Sequence, residues 1–201
     1  MGRGKSTSQR SSRPTAIPNS FTTMHSTFEN IEKAVPSELQ PLVLKFFLVF
    51  SRFEFALKAA GYHKKIRARR NSGMPDGVGP DWESFAAAIE SQFPFAGDLE
   101  VETAIDYFKT HPPMQQILNG SRIVWASEQE SGKRDSADWA LAMVKRVRNN
   151  LFHGGKYPFA FVEEPSRNGE LLNHSLVILQ HCLSLSDRVA DSFRQQPIQA
   201  A

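Results

Sequence analysis

The chain has 201 residues, of which 40% are hydrophobic and 22% charged. That balance is globular and excludes wholesale disorder, a collagen-like repeat and a disulfide-stapled scaffold, while the length suits one domain with a tail. Cys182 is the single cysteine, so neither an intrachain disulfide nor a Cys-rich metal site can form, and a reducing, cytoplasmic setting is expected. The net charge of +3 is unevenly spread: residues 1–20 hold Arg3, Lys5, Arg10 and Arg13 and no acid, which leaves −1 for the remainder. A basic, Ser-rich tail of this kind either touches nucleic acid or remains an unstructured, solubilising terminus. The organisation expected is a disordered basic tail over 1–20, a helical domain over 21–196 and a flexible end over 197–201. The most apolar stretch, Leu42 to Leu57, is interrupted by Lys45, Arg52 and Glu54, and the N-terminus lacks an apolar signal core. No membrane partner is expected.

The spacing of Leu39, Leu42 or Val43, Phe46, Phe50, Phe53, Leu57 and Ala60 predicts a helix from Ser37 to Ala60, with Pro41 in its first turn and Gly61 at its end. Five phenylalanines between Phe46 and Phe55 exceed what one stripe can hold. They predict burial on two sides, within a bundle or at a subunit contact. Next come Lys64, Lys65, Arg67, Arg69 and Arg70. Such a run either complements the dipole of the preceding helix as a solvated face or grips phosphates. Residues 71–81, rich in Gly and Pro, read as a loop.

Asp81 predicts the cap of a helix through Trp82, Phe85, Ala86, Ile89 and Phe93. Asp98 predicts the cap of another, with Val101, Ile105 and Phe108 inward and Pro112-Pro113 after it. Asn119-Gly120 is a turn signal, and Arg122 to Trp125 read as a short strand or extended segment. Residues 127–135 are a polar loop. A helix starts at Asp135 or Ser136, runs to about Phe152 and stops at Gly154-Gly155. A final helix spans Glu170 to Phe193, with Leu172, Leu176, Leu179, Leu183, Val189 and Phe193 inward. The fold class expected is all-α, an up-and-down bundle of four to five helices with loop insertions.

Within the fourth of these helices Leu141, Val144, Val147 and Leu151 form the inward stripe, and Arg148 falls within its edges. A cation there needs a partner or an opening onto solvent. His153 lies five residues later, roughly 140° away on an ideal helix, so the two do not converge on a straight one. Either the helix unwinds at the double glycine, or a second subunit completes the pair. Asn149, four residues before His153, shares its face and is placed to hydrogen-bond the ring. A purely structural role fits the same residues: His153 at a helix C-terminus, and Arg148 as the salt-bridge partner of Glu54.

The segment Arg146-Val147-Arg148-Asn149-Asn150-Leu151-Phe152-His153-Gly154-Gly155-Lys156 resembles the signature of the HEPN superfamily, the higher-eukaryote and prokaryote nucleotide-binding domains. That signature is an arginine, a polar residue and then a histidine. Arg148, Asn149 and His153 match it with four residues between arginine and histidine, and Arg146 matches the looser spacing with six. The preceding Ser51-Arg52-Phe53-Glu54 and Lys58-Ala59-Ala60-Gly61-Tyr62 are similar to the first helix of a bacterial HEPN group found on plasmids and mobile elements. The resemblance covers roughly residues 36–195.

It implies a homodimer with active sites composed at the interface, and metal-independent endoribonuclease activity. Under it His153 is the general base toward a ribose 2′-hydroxyl, Arg148 the phosphate contact and Asn149 the orienting residue. A toxin or phage-defence effector follows, with an antitoxin or regulatory protein as a further partner. Lys64, Lys65, Arg67, Arg69, Arg70 and Lys156 are the candidate RNA contacts. Arg52 and Glu54 either orient the site or form an ordinary ion pair. No metal and no cofactor are expected. The other reading under the same resemblance is a catalytically inactive module for dimerisation or for nucleotide or RNA binding. A third is a nucleic-acid binder that works through its basic tail and residues 64–70. His174 and His181 share a helix face and read as ordinary surface or core histidines. His25, His63 and His111 carry no signal, and Trp82, Trp125 and Trp139 are expected in the core.

Overall fold

The computed structural model describes residues 35–68, 74–93, 97–126, 134–152 and 165–195. Among them are six helices and two antiparallel two-stranded hairpins. The protein is thus mostly helical, and the all-α expectation is corrected at both hairpins.

Helix α1 (Gln40–Ala59) carries Pro41 in its first turn and buries Phe46, Phe50, Phe53, Ala56 and Leu57. Phe47 and Phe55 remain exposed, so the two-sided burial expected from five phenylalanines is not seen among the described residues. Gly61 adopts φ +91°, a left-handed conformation that only glycine enters cheaply, and it turns the chain out of the helix. Strand β1 (His63–Ile66) then pairs with β2 (Gly77–Pro80), from His63 opposite Pro80 to Ile66 opposite Gly77. The start of the cationic run is therefore a strand and not an extension of the helix end. Part of the Gly/Pro loop is its partner. Gly79 is buried in that pairing, and a Cβ there would lie 2.9 Å from Ile66 Cδ1, the tip of an exposed side chain that would have to shift.

Asp81 caps α2 (Trp82–Ile89), accepting from Ser84 N at 3.1 Å and Ser84 Oγ at 2.8 Å. The helix stops short of Phe93, which is fully buried all the same. Asp98 caps α3 (Leu99–Thr110), its Oδ1 accepting from Glu100 N and Val101 N at 3.2 Å each. Replacing Asp98 by alanine orphans both donors and is expected to cost about 1 kcal/mol. The check is the urea midpoint, which should fall at unchanged m-value.

Strands β3 (Gln115–Asn119) and β4 (Arg122–Ala126) form the second hairpin, with Asn119 opposite Arg122 and Gly120 at φ +61° in the turn. Trp125 sits half-buried on β4, a correction to the core position expected for it. Helix α4 (Ala137–Phe152) follows. The long C-terminal helix is corrected to two: α5 (Pro165–Ser184) and α6 (Asp187–Arg194). Ser184, Ser186 and Asp187 surround the break, and their side chains compete with helix for backbone hydrogen bonds. The break lets α6 pack on α1 while α5 packs on α1, α3 and α4. Among the described residues the core is one cluster, with Phe46, Phe53, Phe85, Phe93, Phe108 and Leu141 among its fully buried side chains. No described helix is long and apolar enough to cross a membrane.

Candidate functional site

Helix α4 carries the motif and is fixed first at its N-terminus. Ser136 Oγ accepts from Trp139 N at 3.2 Å, and Glu90 Oε2, from the end of α2, accepts from Ala137 N at 2.9 Å. Two of the helix's orphan donors are thereby satisfied, one of them from another element. The buried stripe Leu141, Val144 and Val147, with Leu151 half-buried, then sets the rotation of the helix. Arg146 is carried to the interior and buried, whereas Arg148 comes to the half-buried edge. Of the two arginines that fit the motif spacing, Arg148 is the one a ligand can reach.

The Arg148 guanidinium lies against aromatic rings. Its Cζ is 5.0 Å from the ring centre of Phe152 and 5.7 Å from that of Phe50 on α1. Phe47, one turn earlier on α1, stands 5.2 Å from Phe152. Arg148 Nη1 donates to Asn149 Oδ1 at 3.1 Å. Among the described residues Arg148 makes no ion pair, and Glu54 is not its partner. The ring faces attract the cation without neutralising it, and its N–H groups beyond the one bonded to Asn149 remain donors that can meet an oxyanion. Such an arrangement suits a phosphate better than a structural salt bridge does. No family model, curated protein or solved structure matches this chain.

His153 and Lys156 lie outside the described residues, as do the double glycine between them and Arg69 and Arg70 of the basic run. The described part of the site is therefore Arg148, Asn149 and their aromatic surroundings. Asn149 is exposed and engages Arg148. Its neighbour Asn150 is a residue the sequence reading gave no role. It is buried, and its Nδ2 donates to Met114 O at 2.6 Å. Arg167 of α5 donates to Pro112 O at 3.1 Å. Asn150 fastens the entry of the β3–β4 hairpin to the helix that carries Arg148, and Arg167 fastens it to α5. Asn150 lies roughly 60° around the helix beyond Val147, outside the inward stripe read from the sequence, and is buried because the covered face of α4 extends to Trp139, Met143 and Arg146 as well.

Arg52 is committed elsewhere. Its Nε donates to Phe193 O at 2.8 Å and its Nη2 to Ser192 O at 3.1 Å, and its Cζ lies 4.8 Å over the Phe55 ring. It satisfies carbonyls at the end of α6, where a cation also meets the negative pole of the helix. Glu54 is half-buried on the same helix.

Lys64, Lys65 and Arg67 are exposed on and just after β1. Lys65 Nζ pairs with Asp76 Oδ2 at 2.5 Å, and Ala68 N donates to Asp76 Oδ1 at 2.8 Å. Those two contacts, Lys65 first, hold the Asp76 carboxyl below the usual range. One cation of the run is thus offset by an acid across the hairpin, and among its described residues Lys64 and Arg67 form no salt bridge.

The remaining candidates have structural surroundings. Tyr107 is flanked by His111 at 4.7 Å and His174 at 4.5 Å, and His181 meets Phe93 edge-on at 5.5 Å. Trp82 and Trp139 are buried. Cys182 is buried, and desolvation pushes its thiol far up, so it is unreactive. Among the described residues no three His, Cys, Asp or Glu side chains gather as a metal site. A groove of about 490 Å³ runs between Lys45 and Val49 of α1, Glu100 and Val101 of α3, and Val177 and His181 of α5. Lys45 and Val49 lie roughly 140° and 100° around α1 from Phe50, so the groove and the Arg148 site use different sides of the helix.

His174 supplies a pH test. Burial, the larger influence, holds its imidazole below the ordinary 6.5 against the upward pull of Glu170, which lies 3.4 Å away. The unfolded chain then binds the proton more readily than the folded one. Stability present in full above about pH 6.5 is lost as pH falls through the folded value. His174→Gln should remove that acid-side loss. Urea midpoints compared across the weakly acid range check it, and an identical slope in the variant rules it out.

Proposed function

We propose that this chain is a HEPN-type endoribonuclease that works without a metal and acts as a homodimer. The observation that carries the proposal is the Arg148 guanidinium, lying over the rings of Phe50 and Phe152, half-buried and without an ion pair among the described residues, within a segment that resembles the HEPN motif. In the proposed reaction neutral His153 takes the proton from a ribose 2′-hydroxyl. The 2′-oxygen attacks the adjacent phosphorus, the bond to the 5′-oxygen breaks, that oxygen takes up a proton from solvent to leave as a 5′-hydroxyl, and a 2′,3′-cyclic phosphate remains. Arg148 holds the non-bridging oxygens as their charge grows. Asn149, already bonded to Arg148, orients that edge. DNA lacks the 2′-hydroxyl and is spared. Lys64 and Arg67, and with them Lys65, Arg69, Arg70 and Lys156, steer the RNA backbone. A cytoplasmic toxin or phage-defence effector under the control of an antitoxin is the biological setting this chemistry suits.

Leu44, Leu48 and Phe55 support the dimer. They are 57%, 56% and 48% exposed and, with Ser51, occupy one outer stripe of α1. A contiguous apolar stripe on a helix that already has a buried face is the kind of surface a second subunit covers. The same stripe supports the second reading, a non-enzymatic dimerisation module. Purified protein incubated with end-labelled RNA in EDTA separates the two. Cleavage that leaves cyclic phosphate ends and disappears in His153→Ala establishes the nuclease. Intact RNA across varied sequences, with folded dimers verified, moves the conclusion to the module.

A further inference from the structure

Phe47 and Phe152 are 41% and 40% exposed, side by side, next to a cation. Phe47 is not simply part of the outer stripe of α1. At 100° per residue Leu44, Leu48, Ser51 and Phe55 fall within a sector of roughly 60°, and Phe47 lies roughly 60° from Leu44 on the side of Phe50. It therefore belongs to the wall that α1 shares with Arg148. The two rings are inclined at 34°, with centres 5.2 Å apart, and the Arg148 Cζ is 5.0 Å from the Phe152 centre. The hydrogen bond Arg148 makes goes to the neutral amide of Asn149, so its charge is uncompensated by any described acid.

Exposed rings ask for a flat or apolar partner, and an uncompensated guanidinium asks for an anion. A simple anion leaves the rings in water, and an apolar side chain leaves the charge unmatched. A nucleotide unit satisfies both at once, because every base has a π-face and is joined to a phosphate. We infer that Phe47, Phe152 and Arg148 form a nucleotide subsite: one base of single-stranded RNA stacks on the phenylalanine pair while its phosphate meets the N–H edge of Arg148. The inference rests on the ribonuclease reading for the choice of RNA as ligand, but it concerns binding and does not require cleavage. Stacking tolerates any base and favours the larger purine rings.

The test uses the full chain and fluorescein-labelled 2′-O-methyl RNA, which binds but cannot be cut because its 2′-oxygen carries no proton. Anisotropy titrations compare wild type, Phe47→Leu and Phe47→Trp on intact strands and on strands with abasic positions. Phe47→Leu keeps apolar bulk without a π-face and should weaken binding about tenfold. Phe47→Trp should restore wild-type affinity or exceed it. Wild type should lose the same factor on an abasic strand, and Phe47→Leu should lose nothing more.

Equal affinities for wild type and Phe47→Leu overturn the subsite, and so does indifference to abasic positions. A change of oligomeric state in Phe47→Leu at unchanged affinity also overturns it and assigns Phe47 to a protein contact. Failure to bind any strand does so too. Stacking-dependent binding by a protein that cuts no RNA leaves the subsite standing and removes the nuclease reading. Cleavage that ignores Phe47 does the reverse.

Discussion

Arg148→Ala is expected to lower metal-independent RNA cleavage by about 10²–10³-fold, the usual loss when one donor to a developing oxyanion is removed. The protein should remain folded. The substitution gives up stacking on Phe50 and Phe152 at a half-buried site, worth about 0.5–1 kcal/mol, out of a total of roughly 5–15 kcal/mol for a domain. Activity and stability should therefore separate cleanly. Arg148→Lys keeps the charge and loses the planar fork, and should fall between wild type and alanine. His153→Ala should cost about 10²–10⁴-fold through loss of the general base. The double variant should be little worse than the poorer single one, because base and phosphate clamp act in the same step. The assay is initial cleavage rate in EDTA, with circular dichroism as the folding control. An alanine variant within threefold of wild type would falsify the assignment of Arg148.

The largest stability effect should come from Phe53. It is fully buried, stacks on Trp82 with centres 5.4 Å apart and planes 9° apart, and meets Phe85 edge-on at 5.7 Å. Phe53→Ala removes both ring contacts and leaves a cavity between α1 and α2, at an expected cost of about 3–5 kcal/mol. That is a third or more of the whole for a typical domain. Phe53→Leu fills most of the volume and should cost much less. Guanidinium midpoints measure both. Phe55→Ala, four-tenths or more exposed on the same helix, is the internal contrast and should shift the midpoint far less. Equal shifts at the two positions would mean that Phe55 is covered in solution, as the proposed dimer requires. The two shifts should then be re-measured at low protein concentration, where only the Phe55 effect shrinks.

Features governed by near neighbours were legible in the sequence alone. Asp81 and Asp98 cap the helices expected of them, because a carboxylate two or three residues ahead of free backbone N–H groups finds them within one turn. The Phe46, Phe50, Phe53 and Leu57 stripe is buried, because 3.6 residues per turn places those side chains on one face whatever packs against it. Asn119-Gly120 sits in the expected turn, because Gly120 takes a positive φ at little cost, whereas Arg148, expected within its stripe, is only half-buried. Only the tertiary structure decided which distant group each side chain meets. Arg52 reaches carbonyls some 140 residues away at the end of α6, and Asn150 reaches one 36 residues back at the hairpin. The pairing of β1 with β2 and the folding back of α6 onto α1 are settled likewise, by burial and by the need to satisfy backbone groups. Arg148 stands out along the chain through its motif, but nothing in the sequence joins it to Phe47, and Phe152 carries no signal of its own. They become a cluster because α1 and α4 bring them together, and periodicity within one helix carries no information about its neighbour.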